Sequence, residues 1–347
     1  MKPSEFKSII KARHLANLKR AIMVESSPGI GKTQICAQVA AELGIGFKAI
    51  HAPLLQPEDY GFPVIAADRS NVSFIVSREK FPVVGSDCPE SGILLIDELS
   101  QADNSSQKIL ANLIQERQIH GQRLKEGWTI IATGNRVTDR AGANRLLSHL
   151  RNRLTTLELE VSIDDWSQWA LSNSVKVEII AFIRFRPELL NSFDPHAETN
   201  PTPRAWVEGV SADLGVVDSA HEFSMFSGAV GAGPAAEFSA FLKLFRKLPS
   251  PDVILLDPAN AQLPTEPATL YALCGAMANK TTHDNFSRFM TYVGRMSPEF
   301  HVLYIRDAIR CKTPKNGKPC GNCNRCAVTQ SADFIQWASG QGAKVLL

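Results

Sequence analysis

Glu25-Ser-Ser-Pro-Gly-Ile-Gly-Lys-Thr33 decides how the rest of this chain is read. The apolar run Ala21-Ile-Met-Val24 leads into it, and Gln34 to Leu43 follows with helical apolar spacing. Strand, glycine-bearing loop, Lys-Thr and helix form the context of a phosphate-binding loop. Gly29 and Gly31 let the backbone curl so that several N–H groups face one anion, and a helix starting near Lys32 adds the positive end of its dipole. Lys32 can reach β- and γ-phosphates, and the Thr33 hydroxyl can hold Mg²⁺. The loop usually opens with Gly and here opens with Ser26, which predicts a slightly altered entry and an intact site.

Downstream, Gly92-Ile-Leu-Leu-Ile-Asp-Glu98 is apolar throughout until it ends in two carboxylates. Such a run suits a central parallel strand. Asp97 is placed to hold the Mg²⁺ shell, and Glu98 to orient and polarise an attacking water. Trp128-Thr-Ile-Ile-Ala-Thr133 is a further buried strand, and Asn135 just beyond it can hydrogen-bond the water or the γ-phosphate.

Other segments place these motifs. Ser4 predicts an N-cap for a helix to about Leu18. Phe47 to His51 reads as a strand. Pro63 to Ala66 and Val72 to Val76 flank a polar turn and predict a hairpin. A helix is expected from Ser105 to Arg117, a small hairpin over Gln118 to Leu124, a helical segment from Asn144 to Arg151, and a last core strand from Leu154 to Leu159. From Ile163 the pattern turns helical. Gly228-Ala-Val-Gly-Ala-Gly-Pro234 is glycine-rich, but no strand precedes it and no Lys-Ser/Thr follows, so it reads as a turn into a helix over Ala235 to Lys247. Pro249 to Pro267 reads as a connector, with helices again from Thr269 to Arg310.

Phosphate loop, hairpin, Leu94-Leu-Ile-Asp-Glu98, Ser106-Gln-Lys-Ile-Leu-Ala-Asn-Leu-Ile-Gln-Glu-Arg-Gln118, Ala132-Thr-Gly-Asn135 and Thr202-Pro-Arg204 occur in one order. That order resembles the AAA+ ATPases, specifically the MoxR-like branch, over about residues 20 to 215. The resemblance implies a P-loop NTPase αβα sandwich with a five-stranded parallel sheet, then an all-α lid and a helical, cysteine-bearing extension. The expected divisions are 1–160, 161–248 and 249–347. It implies ATP and Mg²⁺ as cofactors. Ser27, Pro28, Gly29, Ile30, Gly31, Lys32, Thr33 and Gln34 become the nucleotide loop, and Asp97 and Glu98 the paired acids. Asn135 becomes the first sensor and Arg204 the second, acting from the lid. Leu150-Arg-Asn-Arg-Leu154 offers Arg151 and Arg153 as the arginine that reaches a neighbour's nucleotide. The hairpin after Asp59-Tyr-Gly61 matches the helix-2 insert of this branch, which tends to line the pore of a ring.

The family further implies a homo-oligomeric ring, usually a hexamer, that remodels a protein partner, commonly one bearing a von Willebrand factor A domain. A nucleic-acid motor is the rival reading, because Leu147 to Leu159 resembles Holliday-junction branch-migration motors. Against it stand a formal net charge of +2 and the lack of a DNA-binding signature.

With 347 residues, 44% hydrophobic and 21% charged, the chain suits two domains, or one with an extension. Met1-Lys-Pro-Ser-Glu has no apolar signal core and no apolar run is long enough to span a bilayer, so the cytoplasm is the expected compartment. Four of the seven cysteines, Cys311, Cys320, Cys323 and Cys326, cluster in a polar stretch. Four thiolates can close a structural Zn²⁺ site. The two successive two-residue gaps also suit an iron–sulfur cluster, and free or redox-labile thiols in a solvated basic loop are the plainer alternative.

Overall fold

The computed structural model describes residues 1–136, 146–194, 196–248, 250–310 and 323–340. Its strands are β1 (Ile22–Ser26), β2 (Gly46–His51), β3 (Phe62–Ile65), β4 (Val72–Ile75), β5 (Ser91–Asp97), β6 (Gln118–Ile119), β7 (Gln122–Arg123), β8 (Gly127–Asn135) and β9 (Thr155–Glu158). Five of them make one parallel sheet in the order β2-β5-β8-β1-β9. The other four make two small antiparallel hairpins.

The sheet is buried on both faces because its central strands are apolar at nearly every position. Ile93 and Leu95 of β5 join Ile22, Val24 and Ile131 in a cluster closed by α1 (Pro3–Leu15) and α2 (Lys32–Leu43), through Phe6, Ile10, Ile35 and Val39. The alternate residues Leu94 and Ile96 turn to the opposite face. There they meet Leu110, Leu113 and Ile114 of α4 (Asn104–Glu116), which follows the one-turn helix α3 (Pro57–Tyr60). Each fully buried Leu or Ile contributes about 1.5–3 kcal/mol. Close strand spacing at one end needs glycine: a Cβ on Gly92 would stand 2.7 Å from the Gly46 carbonyl oxygen and 2.8 Å from the Trp128 ring.

By its contacts the chain divides into two units, Met1–Ser162 with Phe193–His196, and Ile163–Ser192 with Ala197–Leu347. The first carries the sheet and the short helix α5 (Ser148–Arg151). The second is helical: α6 (Ile163–Ser172), α7 (Val177–Phe185), α8 (Ser219–Val230), α9 (Ala232–Phe245), α10 (Pro251–Leu256), α11 (Pro267–Lys280), α12 (Phe286–Val293), α13 (Pro298–Ala308), α14 (Asn324–Val328) and α15 (Ala332–Ser339). Inside it the α7 side chain of Arg184 donates two hydrogen bonds to Asp307 of α13, one of them at 2.9 Å, with both side chains almost fully buried.

The parallel sheet with helices on both faces, followed by a helical region, is an α/β fold of the P-loop NTPase type. Local details differ from the sequence reading. The first helix begins at Pro3, not after a Ser4 cap, because Pro pre-sets the first-turn backbone and Glu5 accepts the Lys2 N–H at 2.9 Å. Gly228 lies inside α8, and Gly231, at φ 88°, makes the break before α9. The expected connector after Pro249 contains α10, capped by Ser250. Ala205–Ser211 is a π-helix directly after Arg204, which no apolar period signals.

Candidate nucleotide site

Parallel strands all end at one edge of their sheet, and ligands of open α/β sheets bind outside that edge. Register decides which residues meet there. Ser26 at the end of β1 pairs with Asn135 of β8, and His51 at the end of β2 pairs with Asp97 of β5. One row of strand ends thus brings together residues more than a hundred positions apart.

The loop after β1 has Gly29 at φ 76° and Gly31 at φ 94°, left-handed values that suit glycine. They turn the chain so that α2 starts at Lys32. The first-turn N–H groups of a helix have no carbonyl partners within it, so they are available to an anion. Ser26 is fully buried. Its hydroxyl donates to the Ser27 carbonyl at 2.9 Å and accepts from the Lys32 ammonium at 2.9 Å. Lys32 also reaches Asn135 Oδ1 at 3.2 Å. The unusual opening serine therefore supplies a side-chain oxygen to the lysine of the loop. Ser27 is buried, Pro28 and Ile30 are half-buried, and Gln34 is exposed on the first turn of α2.

Beside this cradle the Thr33 hydroxyl donates to Asp97 Oδ2 at 2.8 Å. The other Asp97 oxygen accepts from the Thr133 hydroxyl. Hydroxyl and carboxylate oxygens in contact are the hard donors that Mg²⁺ takes, so the residues present fit Mg²⁺ with a nucleotide's phosphates. Cys36, one turn further along α2, is fully buried, and burial first and the field of Asp97 second push its thiol up to about 12. It stays a neutral packing residue.

Glu98 follows Asp97 in a left-handed conformation, φ 56°, which is costly for a residue with a Cβ. Its N–H donates to Thr133 Oγ1 at 3.1 Å, and its carboxylate stands 3.6 Å from His51 Nδ1. His51 Nε2 lies 3.8 Å from Asp97. Gly134 keeps β8 close to its neighbours: a Cβ there would stand 2.5 Å from Met23 Cε and 2.8 Å from Ser100 Oγ.

Thr133 and His51 are the site residues that the sequence reading passed over. A threonine in a β-run reads as strand propensity, and His51 gains meaning only from its register with Asp97. Thr133→Val keeps the strand shape and removes the hydroxyl that joins the two acids. Hydrogen bonds to charged groups contribute about 1.5–3 kcal/mol, so turnover should fall about 10- to 100-fold with little change in thermal stability. Phosphate release measured across a Mg²⁺ titration checks this; an unchanged rate would remove Thr133 from the site.

Arg151 lies 3.4 Å from Glu25, the residue that opens the loop motif. Arg153, two residues on, is half-buried and makes no ion pair among the described residues. Arg204 belongs to the second unit, where it is exposed and 4.0 Å from Glu208. Of the cysteine cluster, Cys311 and Cys320 lie outside the described residues. No helix among the described residues is long and apolar enough to cross a membrane.

Residues 21–155 match the model of the "ATPase family associated with various cellular activities (AAA)", a span of under half the chain. No curated protein matches the sequence. Solved structures do. NtrX from Brucella abortus is 15% identical, with 88% of this chain and 67% of that one covered and a TM-score of 0.40. A point mutant of RuvB from Thermotoga maritima is 16% identical, with 71% and 74% covered and a TM-score of 0.38. A DNA polymerase III gamma subunit-related protein from Thermotoga maritima is 10% identical, with 93% and 96% covered and a TM-score of 0.35. At such scores none of the three bears on function. The family match falls on the segment whose strand ends assemble the phosphate loop and paired acids, so the match and the geometry of the site together support ATPase activity.

Proposed function

We propose that the chain forms a ring, a hexamer in the first instance, in which MgATP hydrolysis drives the remodelling of a protein partner. Thr33 and Asp97 would hold Mg²⁺, which when bound would supply neutralisation of the negative charge on the phosphates. The protein's own part is divided. Lys32, Ser26 and Asn135 fix the phosphate end, Thr33 and Asp97 supply the cation's oxygen donors, and Glu98 takes the proton of the attacking water. A partner with a von Willebrand factor A domain and a cytoplasmic setting belong to this reading by family analogy alone.

The observation that favours a polypeptide over a nucleic acid is the β3–β4 hairpin. Phe62, Val64, Ile65, Val72, Phe74 and Ile75 are all exposed on it, and Phe62, Ile65 and Ile75 are at least 60% so. The strands of this ribbon are apolar on both faces, and an exposed apolar surface of that kind ordinarily means an interaction site for protein. The hairpin is anchored at its base. Phe74 stacks on His120 with centroids 4.2 Å apart, and Gln122 donates to the Phe74 carbonyl at 2.8 Å.

Single- or double-stranded DNA, or RNA, should change the ATPase rate less than about twofold at moderate salt, where non-specific phosphate contacts are already screened. Stimulation of about tenfold or more would overturn the reading in favour of a nucleic-acid motor. The Phe62→Ser/Ile75→Ser double variant should retain basal hydrolysis and lose any protein that copurifies with a Glu98→Gln trap.

A further inference from the structure

Arg20 stands two residues before β1, and Arg153 two residues before β9. The two strands run parallel with Ile22 opposite Thr155, so the two arginines hold matching places at the start of the pair. The phosphate loop follows the last residue of β1. Arg153 therefore belongs to the sheet end opposite its own chain's nucleotide site.

Here the Arg20 guanidinium makes three hydrogen bonds to the segment that carries Arg153. Nη2 donates to the carbonyls of Asn152 at 2.9 Å and Leu154 at 3.0 Å, and Nε donates to the Thr155 hydroxyl at 3.1 Å. Asn152 and Leu154 are the residues on either side of Arg153. The segment has need of donors. α5 is one turn long and ends at Arg151, so its last carbonyls lack helical partners. A guanidinium suits the task because its N–H groups form a planar fork that serves several acceptors at once. Arg20 is itself held in place. Its carbonyl accepts from Arg13 of α1 at 2.5 Å, Lys19 beside it pairs with Glu126 at 2.9 Å, and the carbonyl of Ala21 accepts the Thr155 N–H at 3.0 Å.

We propose that Arg20 is a positioning residue for Arg153, fixing the backbone on both sides of the arginine that is offered to a neighbouring subunit's nucleotide. This rests on the reading of the chain as a ring that shares nucleotide sites between subunits. Two of the three bonds are exposed, so they contribute little to stability, and their use lies in placement. Arg153 makes no ion pair among the described residues, so the backbone that carries it sets its direction. A group misplaced by about 1 Å from a reacting phosphate can cost about 100-fold in rate. With Arg20 gone, the turn between α5 and β9 keeps the arginine and loses its aim.

Arg20→Met keeps most of the stem and removes the donors. In the full-length protein its kcat with MgATP should fall about 10- to 100-fold, with KM and fluorescent-nucleotide affinity within about twofold of wild type. Added to Arg153→Ala, it should slow hydrolysis no further than Arg153→Ala alone, because nothing remains to be placed. Mixed with Lys32→Ala chains that present a well-placed Arg153, and with subunits shown to exchange, Arg20→Met should hydrolyse faster than either variant alone. Arg20→Lys keeps the charge without the fork and should recover part of the loss; it carries the same tests if Arg20→Met does not fold. Wild-type kcat, a loss of nucleotide affinity in place of kcat, a loss that multiplies with that of Arg153→Ala, or no gain in the mixture would each overturn the proposal. Where Arg153→Ala is itself damaging, those outcomes leave the shared site standing. A silent Arg153→Ala would overturn the shared site and this proposal with it.

Discussion

Glu98→Gln should bind ATP with near-wild-type affinity and hydrolyse it about 10²- to 10⁴-fold more slowly, the range of a positioned general base. The two functions are separable because different atoms carry them. The Glu98 backbone N–H is fixed by Thr133, and its carboxylate remains 36% exposed beside His51, whereas the Lys32 ammonium is held by Ser26 and Asn135. Glutamine keeps the size and the left-handed turn and removes the basic oxygen. Lys32→Ala acts oppositely. It empties the ammonium position between Ser26 Oγ and Asn135 Oδ1, so binding itself should fail. A fluorescent nucleotide titration beside steady-state phosphate release distinguishes the two. Near-normal turnover in Glu98→Gln would end its assignment as the base.

The motifs were legible because phosphate chemistry demands particular residues at particular spacings. Gly29, Gly31, Lys32 and Thr33 are local in sequence, and their loop forms whatever the sheet order. Asp97 and Asn135 could be singled out as polar residues ending apolar strands. Their distance from Lys32 could not, since it depends on the order β2-β5-β8-β1-β9 and on a register that pairs Ser26 with Asn135. Thr133 and His51 escaped for that reason: each is ordinary alone and acquires a partner only through register. In the helical unit the sequence signals helix well and helix type poorly. The π-helix after Arg204 depends on tertiary packing, with Trp206 buried among Phe182 and Phe238 and Gly209 close to Ala229. Nothing in a 3.6-residue period reports that.

Arg153→Ala should remove hydrolysis by about 10³-fold or more while cis nucleotide binding persists, the range for an arginine supplied to a phosphoryl-transfer site. Sequence leaves Arg151 and Arg153 equivalent; local geometry separates them. Arg151 lies 3.4 Å from Glu25 of its own chain, so moving it to another subunit breaks that ion pair. Arg153 has no such tie among the described residues. It precedes β9, the edge strand of the sheet, where a neighbouring subunit can approach. Arg151→Ala should accordingly cost under about tenfold, the scale of an exposed pair. A mixing experiment gives the stricter test. A Lys32→Ala chain retains Arg153 but has no working cradle, and an Arg153→Ala chain has the cradle but no arginine to give. At a mixed interface the first should complete the site of the second, so hydrolysis should rise above that of either variant alone. If subunits demonstrably exchange and the rate does not rise, or if Arg151→Ala proves the more damaging change, Arg153 does not act across an interface, and the proposed ring loses its reason to share a site.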